Sequence, residues 1–425
     1  MSEPTSPLQI PDYRRFWVAR FLLVCATLSM VVLIGYQTYA IARADYGMSE
    51  SHAAFQLGLL GLAQFVPFFL LTPVAGVAAD RFDRRYVACI SLSIDFCIAV
   101  AIGLLTYTHH LTLPLCFVLA ASHGAARVFS GPSMSAITPN VVPTPLLPRA
   151  IALGSIGFTS GQIVGPAVGG LLFAANPAVP YAVSAALLLV CAFLVLSIRP
   201  IQSRHRSDLH PVRQMIEGFT FVWKTRFLLG CVSLDLFAVL FAGATALLPV
   251  YARDILHVGA EGLGIMRAAP AVGAGSVALF LSFRPFSQNV GVKMLWAVAV
   301  FGAATLAFGL SRNLFLSLGL LAILGGADMV SVFVRNTLEQ LNTPDSMRGR
   351  VSSISGLAVS ASNELGEMQS GLAAALLGAT GAVVFGGAGA IIITGLWAFI
   401  FPELPRARTF AAQNRQPDPT RGEMD

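Results

Sequence analysis

Acidic and basic side chains stand inside long apolar runs of this sequence, where a charge is energetically costly. Asp328 and Arg335 are seven residues apart, which places them two turns apart on one helical face, and Glu364 and Glu367 occupy adjacent turns of the next run. Burial disfavours the charged form of a carboxylate, whereas a nearby arginine favours it. A carboxylate whose partner changes with conformation can therefore take up and release a proton. The same residues could instead form a static network that joins two helices.

A wider set of charged residues shares this setting. The predicted proton-coupling carboxylates are Glu364, Asp328, Glu367, Asp235 and Asp95, and their predicted charge partners are Arg127, Arg335 and Arg267.

Arg127 must be paired or face water, because an unpaired arginine inside a span is unfavourable. Asp95 lies at a similar depth in the preceding run and is a predicted partner for Arg127. A role for Arg127 in proton transfer or ligand contact is the alternative. His123 could shuttle protons, although a packing role for this histidine is the stronger interpretation.

The runs that hold these residues dominate the chain. Of 425 residues, 56% are hydrophobic and 11% are charged, whereas a soluble domain carries roughly 25% charged residues. At about 35 residues for a span and its loop, the chain has room for roughly twelve transmembrane helices. The composition therefore predicts an all-α polytopic membrane protein. The predicted spans are residues 16–42, 55–79, 86–108, 112–137, 150–174, 179–198, 227–252, 260–283, 294–311, 314–339, 350–377 and 382–402.

Several other classes of protein are excluded. The six cysteines are scattered singly in apolar runs, without the spacing of a metal site, so no metal and no cofactor is predicted. Lys224 and Lys293 are the only lysines, and no phosphate-binding loop or hydrolase motif is present. An enzyme, a channel and a nucleic-acid partner are therefore disfavoured.

Charge and polarity predict the topology. Most of the 27 lysines and arginines fall on one side if both termini are cytoplasmic, as the positive-inside rule requires. The polar stretch 199–226 contains apolar residues at helical spacing, which predicts an amphipathic helix on the membrane surface. We therefore predict a half at 1–198, a linker at 199–226, a second half at 227–402 and a cytoplasmic tail at 403–425. Two facing halves are typical of secondary transporters.

The loop after the second span contains a glycine, an aspartate and several arginines. It resembles the loop signature of the major facilitator superfamily, with Asp83 at the position of a usual glycine. Arginines there could bond acids and helix-end carbonyls and latch one side of the protein, or could serve as positive-inside anchors alone. The predicted inner-gate residues are Gly76, Asp80, Arg81, Arg84, Arg85, Arg348 and Arg350.

A second match lies in the fifth span, which reads GQIVGPAVGG and fits the antiporter signature of the same superfamily at every fixed position. Glycines at four-residue spacing allow close helix packing, and an internal proline favours a bend. Generic small-residue packing is the alternative. The motif residues are Gly161, Gly165, Pro166, Gly169 and Gly170.

Segments of the second half resemble the enterobactin-exporter-like branch of this superfamily. They include GLGIMRAAP at 262–270, TPDSMRGRV at 343–351 and SNELGE at 362–367. The resemblance implies a bacterial inner-membrane protein, working as a monomer, that exports a drug-like amphiphile or siderophore in exchange for protons. Uptake by proton symport or facilitation is one alternative, and a non-transporting sensor or assembly partner is another. The predicted cavity aromatics are Tyr36, Tyr39, Phe237, Phe241 and Phe333, with lipid-facing or core packing as the alternative for each.

Overall fold

The computed structural model describes residues 6–135, 137–200, 211–284, 286–344 and 347–410. At residues 79, 80, 132, 144, 148, 211–215, 244, 349 and 353, the backbone alone is described.

The first half contains six long helices. They are α1 (Pro11–Ala44), α2 (Glu50–Arg81), α3 (Arg84–Tyr107), α4 (Leu113–Ser135), α5 (Leu147–Ala175) and α6 (Val179–Leu196). Short helical turns at Pro7–Gln9, Thr138–Val141 and Thr144–Leu146 accompany them. A separate helix, α7 (Pro211–Lys224), precedes the second half.

The second half has the same number of spans. Its first four long helices are α8 (Arg226–Phe241), α9 (Gly259–Phe283), α10 (Val290–Leu310) and α11 (Leu314–Leu341). The last helical stretch, Arg348–Ile400, contains two helices that reverse at Gly378, where φ is +73°, a value that favours glycine. These helices are α12 (348–377) and α13 (379–400). A short helix at Glu403–Arg406 follows.

The prediction of twelve spans is confirmed. Eleven described stretches are long and apolar enough to cross a membrane, and the last of them holds the two helices that meet at Gly378. An even number of spans places both chain ends at one end of the bundle. We call this the termini end, and the other the far end.

The predicted span 227–252 is interrupted, which differs from the continuous helix that its hydropathy predicts. After α8 ends at Phe241, the chain forms short turns at Ala244–Leu247 and Leu248–Val250 and a wide helical turn at Tyr251–Ile255. Pro249 has no N–H to donate to the carbonyl of Thr245 four residues earlier, which removes one helical hydrogen bond at this point.

The two halves meet along two pairs of helices. α2 packs on α12, and α5 packs on α9. A Cβ on Gly58 would lie 2.9 Å from Cα of Gly371, and one on Gly170 would lie 2.4 Å from the carbonyl oxygen of Ala260. All four residues lie in the far-end thirds of their helices. The halves are therefore in backbone contact at the far end.

The interface is looser toward the termini end. Among the described residues, no atom of another helix lies within 4 Å of the position of a Cβ on Gly356 of α12. Ile151 and Ile156 of α5 are each 58% exposed.

The amphipathic helix α7 lies against the start of α12. Val222 is buried beside Val232 and Val351, whereas Phe219 and Trp223 are exposed and stack at 5.7 Å. An exposed aromatic face of this kind suits the polar–apolar boundary of a bilayer.

Within the first half, α5 packs on α1 through glycines at four-residue spacing. A Cβ on Gly165 would lie 2.6 Å from the carbonyl oxygen of Cys25, and one on Gly169 would lie 2.1 Å from Oγ of Ser29. Gly161 meets Val24 in the same way. Three glycines of the predicted motif thus serve the packing of α5 on α1.

We predict that Gly165→Ala lowers the thermal midpoint of the detergent-purified protein. The added methyl group overlaps the α1 backbone, and overpacking of this kind costs about 1–3 kcal/mol. Gly154→Ala, in open space on the same helix, is the matched control and should be neutral or slightly stabilising. Equal midpoints for the two variants would contradict this account of the α1–α5 contact.

Candidate functional site

A narrow cavity lies at the interface of the two halves. It is bounded by α1, α2, α9, α12 and the interrupted segment after α8. Two charged side chains, Arg267 and Glu367, line it beside Gln64 and otherwise mostly apolar residues. The cavity therefore holds two charged residues at the interface between the halves. The halves must separate at this interface if they move.

Arg267 is held by the interruption of the seventh span. Its Nη1 donates to the carbonyl oxygen of Thr245 at 3.1 Å, which also accepts from the backbone N–H of Leu248. Its Nη2 lies 3.9 Å from Oε1 of Glu367. The irregular backbone after α8 thus supplies the acceptor that orients this arginine toward the carboxylate.

Glu367 lies directly against the opposite half. A Cβ on Gly61 of α2 would lie 3.0 Å from Cβ of Glu367 and 3.1 Å from its Oε2. Any side chain at position 61 would therefore displace the carboxylate. The glycine makes room for Glu367 at the contact between α2 and α12.

Glu364 lies one turn before Glu367 and completes the cluster. It interacts electrostatically with Glu367 and with both Arg127 of α4 and Arg267 of α9. No described carboxylate lies within 4.0 Å of the Arg127 guanidinium. The four residues Glu364, Glu367, Arg127 and Arg267 form what we call the interface cluster, in which two acids on one helix face one arginine from each half.

A second group of charges lies wholly within the second half. Asp235 of α8 forms a buried ion pair with Arg335 of α11, and Nε of Arg335 is 4.0 Å from Oε1 of Glu339. Ser355 of α12 donates to the same Glu339 oxygen at 2.6 Å. Asp328 interacts electrostatically with the ion pair but is not the direct partner of Arg335.

Glu339 was not among the predicted charged residues of the interior, although the sequence carries a signal for it. Glu339 follows Arg335 by four residues, the spacing of an ion pair along a helix. The seven-residue spacing predicted Asp328 as the partner of Arg335. The carboxylate closest to Arg335 is instead that of Asp235, which lies on a different helix.

The predicted Arg127–Asp95 pair is wrong. Oδ1 of Asp95 lies 2.9 Å from Nδ1 of His123, and both side chains are buried between α3 and α4. His123 therefore packs as the partner of Asp95, and Arg127 remains available to the interface cluster.

A bridge between the halves closes the far end. The hydroxyl of Tyr39 on α1 donates to Oδ2 of Asp254, and Nε of Arg43 donates to the same oxygen at 3.2 Å. Asp254 belongs to the wide turn at Tyr251–Ile255. The sequence analysis did not find this contact, which joins residues more than 200 positions apart.

The predicted set of cavity aromatics is mostly wrong. Tyr39 is fully buried in the far-end bridge. The rings of Phe237 and Phe241 pack on Trp397 and Phe385 of α13, with centroids 5.1 Å and 6.1 Å apart.

The other two aromatics also pack against neighbouring rings. Phe333 contacts Phe286 and Phe410 near the termini end. Tyr36 meets Phe173 of α5 edge-on at 5.6 Å. Large rings thus fill gaps between helices here.

The loop between α2 and α3 is held within the first half. Asp83 accepts from the backbone N–H of Arg85 at 3.0 Å and caps α3, so the aspartate at the usual glycine position supports a helix start. Partial burial opposes ionisation of Asp83, but hydrogen bonds from Arg85 outweigh it, and the pKa of Asp83 lies below its usual range. Arg85 also donates to the carbonyl of Ile198 at 2.6 Å.

The remaining residues of the predicted gate make no described contact across the halves. Arg81 is exposed at the end of α2, Arg84 begins α3, and the side chain of Asp80 lies outside the described residues. Within the described residues, no atom lies within 4 Å of the position of a Cβ on Gly76, so this glycine makes no close helix contact in this conformation.

The basic residues at the start of α12 bind the second half and the linker helix α7. Arg348 donates to the carbonyl of Gln340 at 3.0 Å, and Nη1 of Arg350 lies 2.7 Å from Oε2 of Glu217 on α7. Arg350 therefore ties the amphipathic helix to α12.

The last part of the glycine-rich motif serves the contact between halves. Gly170 packs on Ala260 and Gly264 of α9, and a Cβ on Gly264 would lie 2.5 Å from the carbonyl oxygen of Pro166. The motif thus places one helix against both α1 and α9.

These features define a polytopic membrane transporter with two six-helix halves around a charged interface. The family model described as "transmembrane secretion effector" matches residues 2–423. The chain belongs to this family of the major facilitator superfamily.

Individual relatives agree with this assignment. The enterobactin exporters of Shigella boydii serotype 18 and Escherichia coli O1:K1 are each 26% identical over 379 residues, covering 88% of this chain and 86% of theirs.

Solved structures share the fold. A bacterial homologue of the human lysosomal transporter Spinster, in its inward-facing and unoccupied conformation, aligns with a TM-score of 0.70 at 16% identity, over 96% of this chain and 98% of that one. A D-xylose–proton symporter aligns with a TM-score of 0.70 at 12% identity, over 92% and 98%.

We predict strong energetic coupling between Asp235 and Arg335. Removing one charge in Asp235→Asn or Arg335→Gln leaves the other buried, which costs about 3–5 kcal/mol. The double variant should recover much of the loss in thermal midpoint of the detergent-purified protein. Additive losses would show that the ion pair is not a unit.

Proposed function

We propose that this transporter exports a small organic molecule in exchange for protons by alternating access. The interface cluster carries the proposal. Glu364 and Glu367 lie on α12, and their arginine partners come from α4 of one half and α9 of the other. Movement of one half against the other changes these distances, and with them the stability of the carboxylate charge.

The state of the interface supports a transport cycle. Backbone contacts and the Tyr39–Asp254 bridge close the far end, whereas toward the termini end Ile151 and Ile156 of α5 are exposed and no described atom approaches the position of a Cβ on Gly356 of α12. The basic residues favour a cytoplasmic position for the termini end. With this orientation in a bacterial inner membrane, the described conformation opens inward.

The proposed cycle uses few groups. Protons that enter from the outside neutralise Glu364 and Glu367 and weaken their attraction to Arg127 and Arg267. The halves then rock, and substrate that binds from the cytoplasm favours release of the protons inward. Asp328, Asp235 and Arg335 lie within one half, so we assign them to a static network.

The predicted inner latch would act in the conformation that is closed at the termini end and open at the far end. Asp80, Arg81 and Arg84 lie at the termini end, where closure of that end would bring them toward α12. In the described conformation Arg348 bonds a carbonyl of α11 and Arg350 pairs with Glu217 on the linker helix α7.

The direction and the class of substrate rest on the relatives. Those reported above are named enterobactin exporters, so we propose export of a siderophore or a drug-like amphiphile by a single chain. Enterobactin and ethidium are suitable first probes, because they differ in the sign of their charge and the interface cluster contains both signs.

We predict that enterobactin or ethidium triggers proton release from inverted membrane vesicles with an acid lumen, read with a pH-sensitive dye. Glu364→Gln should reduce this release at least tenfold, because the amide cannot bind the transported proton. Glu261→Gln is the control, since Glu261 is an exposed carboxylate at the start of α9.

Two outcomes would contradict the proposal. Undiminished proton release in both Glu364→Gln and Glu367→Gln would exclude the interface cluster as the proton site. Accumulation of a probe in right-side-out vesicles, driven by an inward proton gradient, would assign uptake by symport instead.

We predict that Asp254→Ala opens the far end. It removes hydrogen bonds to a charged group, each worth about 1.5–3 kcal/mol, so the far-end-open population should rise at least tenfold. In right-side-out vesicles and a background without the native cysteines, the labelling rate of Thr245→Cys by an impermeant maleimide reports this change. Asp45→Ala, at the exposed end of α1, is the control. Equal labelling in both variants would show that the bridge does not hold the gate.

A further inference from the structure

A deep groove runs along the outer surface of the second half. α9 and α10 both pack extensively on α11, but within the described residues they make at most marginal contact with each other. The floor of the gap is α11, and its walls are α9 and α10. The groove has a volume of about 630 Å³.

Small residues make the groove deep. Gly273 and Gly326 lie at the contact of α9 with α11, where a Cβ on Gly273 would be 1.8 Å from the carbonyl oxygen of Ala322. Ala297 forms part of the α10 wall. Because these residues project little, the groove reaches down to the helix backbones.

Large apolar side chains form the rim and face outward. Trp296 is 68% exposed, Ile323 is 52% exposed and Val272 is 46% exposed. In a bilayer this surface meets hydrocarbon. The groove runs from the termini end to about the middle of the helices, a length that suits one acyl chain.

The mouth of the groove carries positive charge. Nζ of Lys293 lies 4.3 Å from the centroid of the Phe286 ring, and both residues line the groove. Arg284 is exposed at the end of α9. Arg408 is also exposed. Its backbone carbonyl accepts from the N–H of Asn289, which holds it near the start of α10.

The nearest acidic residue of the adjoining tail, Glu403, already forms an ion pair with another residue. Glu403 lies 3.2 Å from Nε of Arg226, on the side of α8. The described side chains that line the groove include no carboxylate. The mouth is therefore complementary to an anion at the membrane surface.

We propose that this groove binds one anionic phospholipid from the leaflet at the termini end. An acyl chain lies between α9 and α10 over the small-residue floor, and the phosphate contacts Lys293. Arg284 and Arg408 add positive charge at the same level. The proposal is independent of the transport direction and of the interface cluster, because the groove lies within one half.

Native mass spectrometry tests the proposal on the full-length protein, exchanged from detergent into mixtures of phosphatidylglycerol and phosphatidylethanolamine. We expect one phosphatidylglycerol retained in preference. Lys293→Gln should weaken its retention roughly fivefold, the effect of one basic side chain near a membrane surface. Ser276→Phe should abolish it, because Ser276 is exposed within the groove and a ring there would fill the gap.

The chain offers a matched control for each variant. Lys224→Gln removes the only other lysine, which ends α7. Ser93→Phe places the same ring at an exposed position of α3. Ser93 and Ser276 are matched because each donates to the carbonyl four residues earlier at 2.8 Å. Neither control should change retention.

Three results would overturn the proposal. Equal retention of the two lipids would show that charge does not select the occupant. Equal retention in Ser276→Phe and Ser93→Phe would place the lipid elsewhere. A lipid-independent dimer lost only in Ser276→Phe would assign the groove to a second copy of this chain.

Discussion

A charge within the hydrocarbon layer of a membrane is costly unless it is paired within the protein or faces a water-filled cavity. This constraint organises the interior of the transporter. Asp235 pairs with Arg335, and Asp95 pairs with His123, each within one half. The interface cluster differs because its arginines come from both halves. A pair within one rigid half stabilises that half, whereas charges shared between halves respond to their separation.

The backbone arrangement serves the same constraint. The seventh span is interrupted at residues 242–255, and the carbonyl of Thr245 in this segment orients Arg267 toward Glu367. Gly61 leaves space for Glu367 in the contact between α2 and α12. Residues without a charge thus determine where the charged residues meet.

Glycine contacts and polar contacts act together at the far end. Gly58 and Gly170 allow the halves to approach at the level of the backbone, and the bridge from Tyr39 to Asp254 adds a polar contact. Both kinds of contact can separate without breaking a helix, because they join whole helices side by side. The packing within each half, such as Gly165 on α1, is equally close but need not open.

The sequence alone determined the twelve spans, the family and the identity of most charged residues in the interior, because hydropathy and motif spacing are local properties of the chain. It did not determine which charges meet. Spacing along α11 paired Arg335 with Asp328, but Asp235 on a neighbouring helix lies closer, and Asp95 is paired with His123 instead of Arg127. A partner depends on which helices are adjacent and how each is rotated about its axis. Only the tertiary structure decides this, because helix rotation is set by side-chain packing from segments far apart in the chain.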